Sequence, residues 1–369
     1  MPAIFSHPTA DSYPVQVVPN DSNLEINAYD LAASIPEYVW DALRQNPVRT
    51  NVVLPLAEKA RLHEAKTLDD QQLWLTCVST TESDSKRVDL VLSFSRNTLG
   101  DYPLFIVPTV PFSHLTQQFL VPRLQSLMLA IQKFVPRSRV YSVFAPEPVA
   151  ELFARLWSDS TGIWHYPEPY YAAQLSFCTQ RSFKNRQATT MREGSHYNLR
   201  PAIPSDLLAV ANLCLEFSQG SEPFVLDWEG AVREAEMLIY NKQVWVHEIQ
   251  SSSDSSSSES SESESTEIAC LVAFTRNTRT TATITKVVTS YNHRGLGCAQ
   301  RLVRQVCKHL LHTGKQSVAL YVAHDNIPAG KVYHKVGFVG LNGLEESIEG
   351  VERWSEIGFD RTKVQLGHW

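Results

Sequence analysis

The chain has 369 residues, 43% of them apolar and 10% aromatic, enough to fill the cores of two domains of ordinary size. With 20% charged residues and no run near the roughly 18 apolar residues of a spanning helix, a disordered chain and a helical membrane protein are both excluded. The first thirty residues carry Asp, Pro and Asn where a signal peptide would be apolar, and Cys77, Cys178, Cys214, Cys270, Cys298 and Cys307 form no Cys-x-x-Cys pair, so reduced thiols and a cytoplasmic or nuclear location are expected.

In the N-terminal half, Leu104 to Val107 reads as a strand and Gln117 to Phe134 as a helix; Val140 to Phe144 and Pro148 to Trp157 repeat that order. The same strand, helix, strand, helix sequence recurs in the C-terminal half, so an internal repeat is expected. The connection from Pro108 to Gln117 lacks glycine, so no phosphate can approach its backbone closely and only the second copy should keep a phosphate site. The polar, basic run Thr179 to Tyr197, with Gly194 and Ser195, separates two apolar halves. It predicts an N-terminal α/β domain over 1–190 and a second domain over 191–369.

The second half opens with a short strand at Tyr197 to Ala202 and a helix from about Ser205 to Phe217, capped by Ser205 or Asp206. A helix over Glu229 to Tyr240 precedes two strands, Gln243 to Ile249 and Ile268 to Phe274. Between them, residues 250–267 are Ser-rich and acidic, a composition that predicts a disordered, solvated loop on a hairpin. Ser251, Ser256 and Ser261 each have an acid three residues on, a pattern that resembles acidophilic-kinase sites; a plain solvated insertion is the alternative.

That loop supplies five of the six excess negative charges in a net charge of −6. From Ile268 to Leu344 the balance inverts: ten Lys or Arg face only Asp325, about +9 locally, which suggests an anionic ligand. Nucleic acid is disfavoured because no basic run is interleaved with stacking aromatics. A strand at Thr281 to Ser290 then leads into the clearest helix of the chain. Ala299, Leu302, Val303, Val306, Cys307, Leu310 and Leu311 form its core face, while Gln300, Arg301, Arg304, Gln305, Lys308 and His309 are expected to face solvent. Ser317 to Val322 is a buried strand, and Asn326 to Phe338 a helix capped by Asn326 and ended by Gly337.

Between the strand and the long helix lies Tyr291-Asn-His-Arg-Gly-Leu-Gly-Cys-Ala299. Gly295 and Gly297 let amides converge, and the helix N-terminus adds partial positive charge, so the turn can hold a diphosphate. A dinucleotide fingerprint would need glycine at Gln300, and a Walker loop would need Ser or Thr at Gln316. His309 and His312 have no carboxylate partner at zinc-site spacing, so no metal is expected. Cys298 is read either as a thiol acidified by the helix terminus or as a small packed residue.

The strand from Thr281, this turn, the helix, the strand to Val322 and Asn326-x-x-Ala329-x-x-x-Tyr333-x-x-x-Gly337-Phe338 together resemble the GNAT superfamily of acetyl-coenzyme A-dependent N-acetyltransferases. Leu199-Arg200-Pro201 is similar to the opening of those domains. The resemblance covers about Asn198 to Leu341. It implies an α/β fold with a mixed sheet splayed to admit acetyl-CoA, and a degenerate copy in the N-terminal half. It also implies donor binding by Val287, Val288 and Thr289, by the turn residues His293, Arg294, Gly295, Leu296, Gly297, Cys298 and Ala299, and by Ala329. Asn326 would hydrogen-bond the pantetheine arm or cap its helix. Tyr333 stands where the family keeps its acid for the leaving thiolate. The base for the amine's proton is not fixed by the resemblance: His324 and Asp325 follow the strand that should border the cleft, with His324 taken as the candidate, and Glu216, Glu222 and Asp227 lie in the region of the acceptor site. The expected activity is direct attack of a primary amine on acetyl-CoA; the alternative is a non-catalytic acyl-CoA-binding or scaffold protein.

Overall fold

The structure is a computed structural model that describes residues 15–17, 23–63, 72–80, 85–97, 99–185, 195–251, 265–343 and 348–368. The centre of the acidic loop, with Ser256 and Ser261, lies outside the described residues, as does Gly194. The chain forms two compact units: Met1–Asn46, Val52–Glu168 and Glu356–His368 make the first, and Pro47–Asn51 with Pro169–Ser355 make the second.

The first unit contains β1 (Val15–Val17), β2 (Leu24–Tyr29), β3 (Leu73–Thr80), β4 (Lys86–Phe94), the two-residue strands β5 (Arg96–Asn97) and β6 (Gly100–Asp101), β7 (Leu104–Pro108) and β8 (Ser142–Pro146). Its helices are α1 (Glu37–Gln45), α2 (Leu54–His63), α3 (Gln117–Phe134) and α4 (Glu147–Thr161). Strands β1 to β4 and β7 pair antiparallel in the order β1-β2-β3-β4-β7, and β8 then joins β7 in parallel. A parallel neighbour requires a crossover helix, and α3 supplies it, capped by Thr116. Strands β7 and β8 are buried at every position, which explains their unbroken apolar runs. The strand, helix, strand, helix order of the repeat is therefore present here, without glycine in the turn.

The first unit is completed from the far end of the chain. The Phe359 N–H donates to the Tyr141 carbonyl at 2.9 Å and the Tyr166 N–H to the Gly358 carbonyl at 2.9 Å, while Ser142 Oγ donates to Glu356 Oε1 at 2.7 Å. Glu356 is fully buried, and burial pushes its carboxyl up to about 8.

In the second unit, β10 (Ser195–Pro201), β11 (Val244–Ser251), β12 (Ser265–Ala273) and β15 (Lys286–Thr289) form an antiparallel sheet in that order. Strand β16 (Ser317–Ala323) lies between β9 (Tyr171–Thr179), antiparallel to it, and β14 (Thr281–Ile284), parallel to it, with β13 (Arg276–Asn277) beyond. Period-two alternation distributes the side chains to two cores. Val244, Val246, Leu271, Ala273 and Val288 face α5 (Leu207–Ser218) and α6 (Trp228–Tyr240). Trp245, Cys270, Val272, Ile284, Val318 and Leu320 face α7 (Cys298–His312) and α8 (Ile327–Val336). All six cysteines are free and buried.

The chain passes between the units at 168/169 and 355/356; β9, ahead of the polar run at which the division was expected, already belongs to the second unit and pairs with β16, and residues 186–194 of that run lie outside the described residues. Segment Pro47–Asn51 belongs to the second unit: Arg49 Nε donates to Glu352 Oε1 at 2.7 Å and Asn51 Nδ2 to the Tyr321 hydroxyl at 2.9 Å. The last strand, β17 (Glu352–Gly358), begins in the second unit and ends in the first. Two local expectations are corrected. Asp206 does not cap α5; its carboxylate accepts from Arg200 and from the Ile203 N–H. Gln300, Arg301 and Arg304 are buried, because their neighbours on adjoining segments offer acceptors, such as the Lys184 carbonyl for Arg304 Nε at 3.1 Å.

Glu356 gives a pH test. Its native carboxyl titrates near 8 against an ordinary 4.5, so between those values the unfolded chain binds fewer protons than the native one and stability falls as pH rises, by about 1.4 kcal/mol per pH unit. Glu356→Gln keeps an acceptor for Ser142 and cannot ionise. It should flatten that decline, raising the pH 9 melting temperature above that of the unaltered protein in thermal unfolding.

Candidate functional site

The backbone pairing of the second unit parts at Thr285. Up to Ile284, which pairs with Leu320, strand β14 is hydrogen-bonded to β16. The Thr285 N–H then donates to the Ala273 carbonyl at 2.9 Å, and β15 continues as the neighbour of β12, with Val272 opposite Val287 and Leu271 opposite Val288. Strand β16 runs on through Tyr321, Val322 and Ala323 against β9. Because β15 is the edge strand of its sheet, its other row of N–H and C=O groups is available to a ligand in extended conformation. Val287 is half-buried and Val288 buried.

Two residues beyond Thr289 the chain begins a single 3-10 turn, Tyr291–His293. Ser290 Oγ and His293 Nδ1 are 2.8 Å apart, and Arg294 Nε donates to the Thr289 carbonyl at 3.2 Å. Gly295 and Gly297 then adopt φ of 77° and 75°, values that L side chains rarely take. A Cβ at Gly295 would meet nothing within 4 Å, so the turn is bordered by open space. Gly297 is the N-cap of α7, and the next amides, of Cys298, Ala299 and Gln300, have no acceptor within the helix. The Cys298 side chain is buried and its thiol is pushed up by burial. It is a packed residue, and only its main chain can meet a ligand.

Beneath the turn lies a cluster that the sequence reading missed. Arg301, 7% exposed, donates from Nη2 to the Leu296 carbonyl at 2.8 Å and from Nε to His247 Nε2 at 3.1 Å. The His247 ring stacks on Tyr197 with centroids 5.1 Å apart, and the guanidinium lies 5.0 Å from the same ring. Burial and the Arg301 charge lower the His247 imidazole to about 4. A neutral ring accepting at Nε2 carries its hydrogen on Nδ1, which has no hydrogen-bond partner among the described residues. The available signal was parity: His247 stands between Trp245 and Ile249 on one face of a strand.

Tyr333 and His324 occupy different surroundings. Tyr333, on α8, is 8% exposed and packs among Val336 and Phe338, its ring centroid 5.8 Å from that of Phe338. Burial raises its phenol well above the usual value, so it keeps its proton at any ordinary pH. His324 is exposed just past β16, with its N–H donating to the Ala172 carbonyl at 3.2 Å. The exposed Asn326 caps α8, accepting from the Ala329 N–H at 3.1 Å. A cleft of about 590 Å³ opens between α5, the outer ends of β11 and β12, and Ser290–Asn292, lined by Asp206, Glu216, Glu248 and Glu267. Arg200 engages Asp206 at 2.7 Å and Glu248 at 2.8 Å, and His293 stands 3.6 Å from Glu267. Asp227 caps α6.

Comparison with known proteins relates the segment around this turn to a family. Residues 245–338 match the acetyltransferase (GNAT) family, a family of acyltransferases. No curated protein matches the chain. Among solved structures, a Drosophila protein superposes with a TM-score of 0.54 at 9% identity, over 89% of this chain and 96% of its own. A tandem GNAT protein from the clavulanic acid biosynthesis pathway, 14% identical, covers 90% of this chain and 98% of its own at a TM-score of 0.47. A GCN5-related N-acetyltransferase from Sphaerobacter thermophilus, also 14% identical, covers 91% and 95% at 0.48. Residues 245–338, all within the second unit, therefore carry the match to the acetyltransferase (GNAT) family, and the chain shares its fold with the Drosophila protein.

The neutral His247 makes stability depend on pH in the acid range. Its native value near 4 lies below the ordinary 6.5, so the unfolded chain binds more protons in that window. Stability is retained above about pH 6.5 and lost as pH falls, by on the order of 3 kcal/mol in full. The charges nearest it are Arg301 and, when protonated, His293. His247→Gln should remove most of this acid sensitivity in denaturant titrations run between pH 4.5 and 7.

Proposed function

We propose that the protein is an N-acetyltransferase that moves an acetyl group from acetyl-CoA to a primary amine by direct attack in a ternary complex. The observation that carries the reading is the parting of the strands at Thr285, next to a two-glycine turn that opens a helix, within a segment of the acetyltransferase family. The donor's shape fits this arrangement. An extended pantetheine arm needs a strand edge with unused amides, and Val287, Val288 and Thr289 offer one. A diphosphate needs converging N–H groups with no side chain in the way, and Gly295 to Ala299 provide them.

Acetyl-CoA supplies an activated thioester. A main-chain N–H at Val287 or Val288 would polarise its carbonyl, and Arg294, exposed at the turn, adds positive charge beside the phosphates. Tyr333, protonated at working pH, would donate to the leaving thiolate, whose parent thiol has a pKa near 8.5. His324, exposed at the end of β16, would take the proton released by the amine. Asn326 and Ala329 hold the N-terminus of the helix that carries Tyr333. The cytoplasm or nucleus, with its acetyl-CoA pool, is the proposed location.

Two measurements test the reading. In calorimetric titration the unaltered protein should bind acetyl-CoA in the micromolar range, and Gly295→Glu with Gly297→Glu should abolish binding in a folded protein, since carboxylates would fill the turn. No binding by the unaltered protein would make the glycine turn purely structural. Tyr333→Phe should lower kcat by about 10- to 100-fold with less than about threefold change in donor affinity. Undiminished donor binding with no amine-dependent thiol release from any acceptor would favour a non-catalytic acyl-CoA-binding protein.

A further inference from the structure

The geometry points to Arg301 as a positioning residue that aims the Gly297 amide at the donor's diphosphate, with His247 and Tyr197 holding its guanidinium in place. The inference rests on the proposed donor site and concerns how the chain shapes it. Leu296 C=O and Gly297 N–H belong to one planar trans peptide, so they point in opposite directions. Arg301 Nη2 holds that carbonyl at 2.8 Å from below the turn, and the amide across the plane must then point away from the buried guanidinium. The Arg301 main chain acts on the same peptide's neighbour, its N–H donating to the Gly297 carbonyl at 3.1 Å to begin the helix.

A two-glycine turn without such a brace has many conformations to lose on binding. Three contacts remove that freedom before any ligand arrives. Nε is fixed on His247 Nε2 at 3.1 Å, Nη2 lies 3.6 Å from Cys298 Sγ, and the guanidinium faces the Tyr197 ring at 5.0 Å. The histidine must be neutral to accept from a cation, which its burial ensures. A lysine could not do the same work, because one ammonium point charge does not replace a planar fork reaching two acceptors. Arg301 touches no reacting atom; its effect passes through the peptide between Leu296 and Gly297.

The test uses the full chain and coenzyme A, read by calorimetry and by hydrogen exchange resolved to the turn and to β15. In the unaltered protein coenzyme A should slow exchange at both 286–289 and 295–299. Arg301→Gln should raise Kd about tenfold or more and lose most of the protection at 295–299, while protection at 286–289 persists at saturating ligand. His247→Gln, which keeps an acceptor, should stay within about threefold of the unaltered Kd, and His247→Leu should resemble Arg301→Gln. The two histidine variants keep the test decisive if Arg301→Gln fails to fold. Equal Kd in Arg301→Gln, equal loss of protection in both segments, or His247→Leu binding as well as His247→Gln would overturn the inference while leaving the donor site intact. Failure of the unaltered protein to bind coenzyme A would overturn the proposed function and this inference together.

Discussion

A strand edge can satisfy only one neighbour at a time, and the site depends on where this chain changes neighbours. Had Lys286–Thr289 stayed with β16, its hydrogen bonds would be spent and the sheet closed. The switch at Thr285 costs no unsatisfied amide there, since its N–H passes to Ala273. It leaves two diverging strands with the turn of α7 at the end of one of them. Two cores pack against the sheet on its two faces, Val244 and Leu271 in one and Cys270 and Val272 in the other.

Charge in the second unit is arranged differently from what its local excess suggests. Lys286 is spent on Glu234 at 2.6 Å, and Arg304 is buried against main-chain carbonyls. Arg301 faces inward too. Arg294, Lys331 and Lys335 are exposed. The positive field around the turn therefore comes partly from cations with no freedom to meet a ligand. In a low-dielectric interior such fixed charges act at longer range than mobile surface ones.

The elements carrying a strong periodicity were legible. Helices α7 and α8, strand β16 and the glycine turn stand within a residue or two of their expected places, because amphipathic spacing and Gly or Pro punctuation are local signals. The interruption of the strand after Ile284 was not, since Thr281 to Thr289 is mostly β-branched on both sides of the break and only its partners divide it. Nor was the brace under the turn: Arg301 is polar at a polar position of α7, and what buries it is a histidine 54 residues away. Asp206 shows the same limit, a capping residue by position that an arginine six residues earlier claims for itself. The proposed donor residues could be named from the sequence because the chemistry asked of them is main-chain and local, whereas the residues that hold the turn depend on distant strands.

The completion of the first unit by Glu356–His368 has a consequence for biosynthesis. On the ribosome, Val52–Glu168 emerges early but must wait for the whole second unit to be translated before Phe359 can reach Tyr141. Throughout that interval β8, apolar and destined to be buried at every position, lacks contacts it will have in the finished protein. The nascent chain thus presents an incomplete sheet until Phe359 has been made, a state in which chaperone capture or termination before that residue would decide the fate of a unit whose other strands are already synthesised.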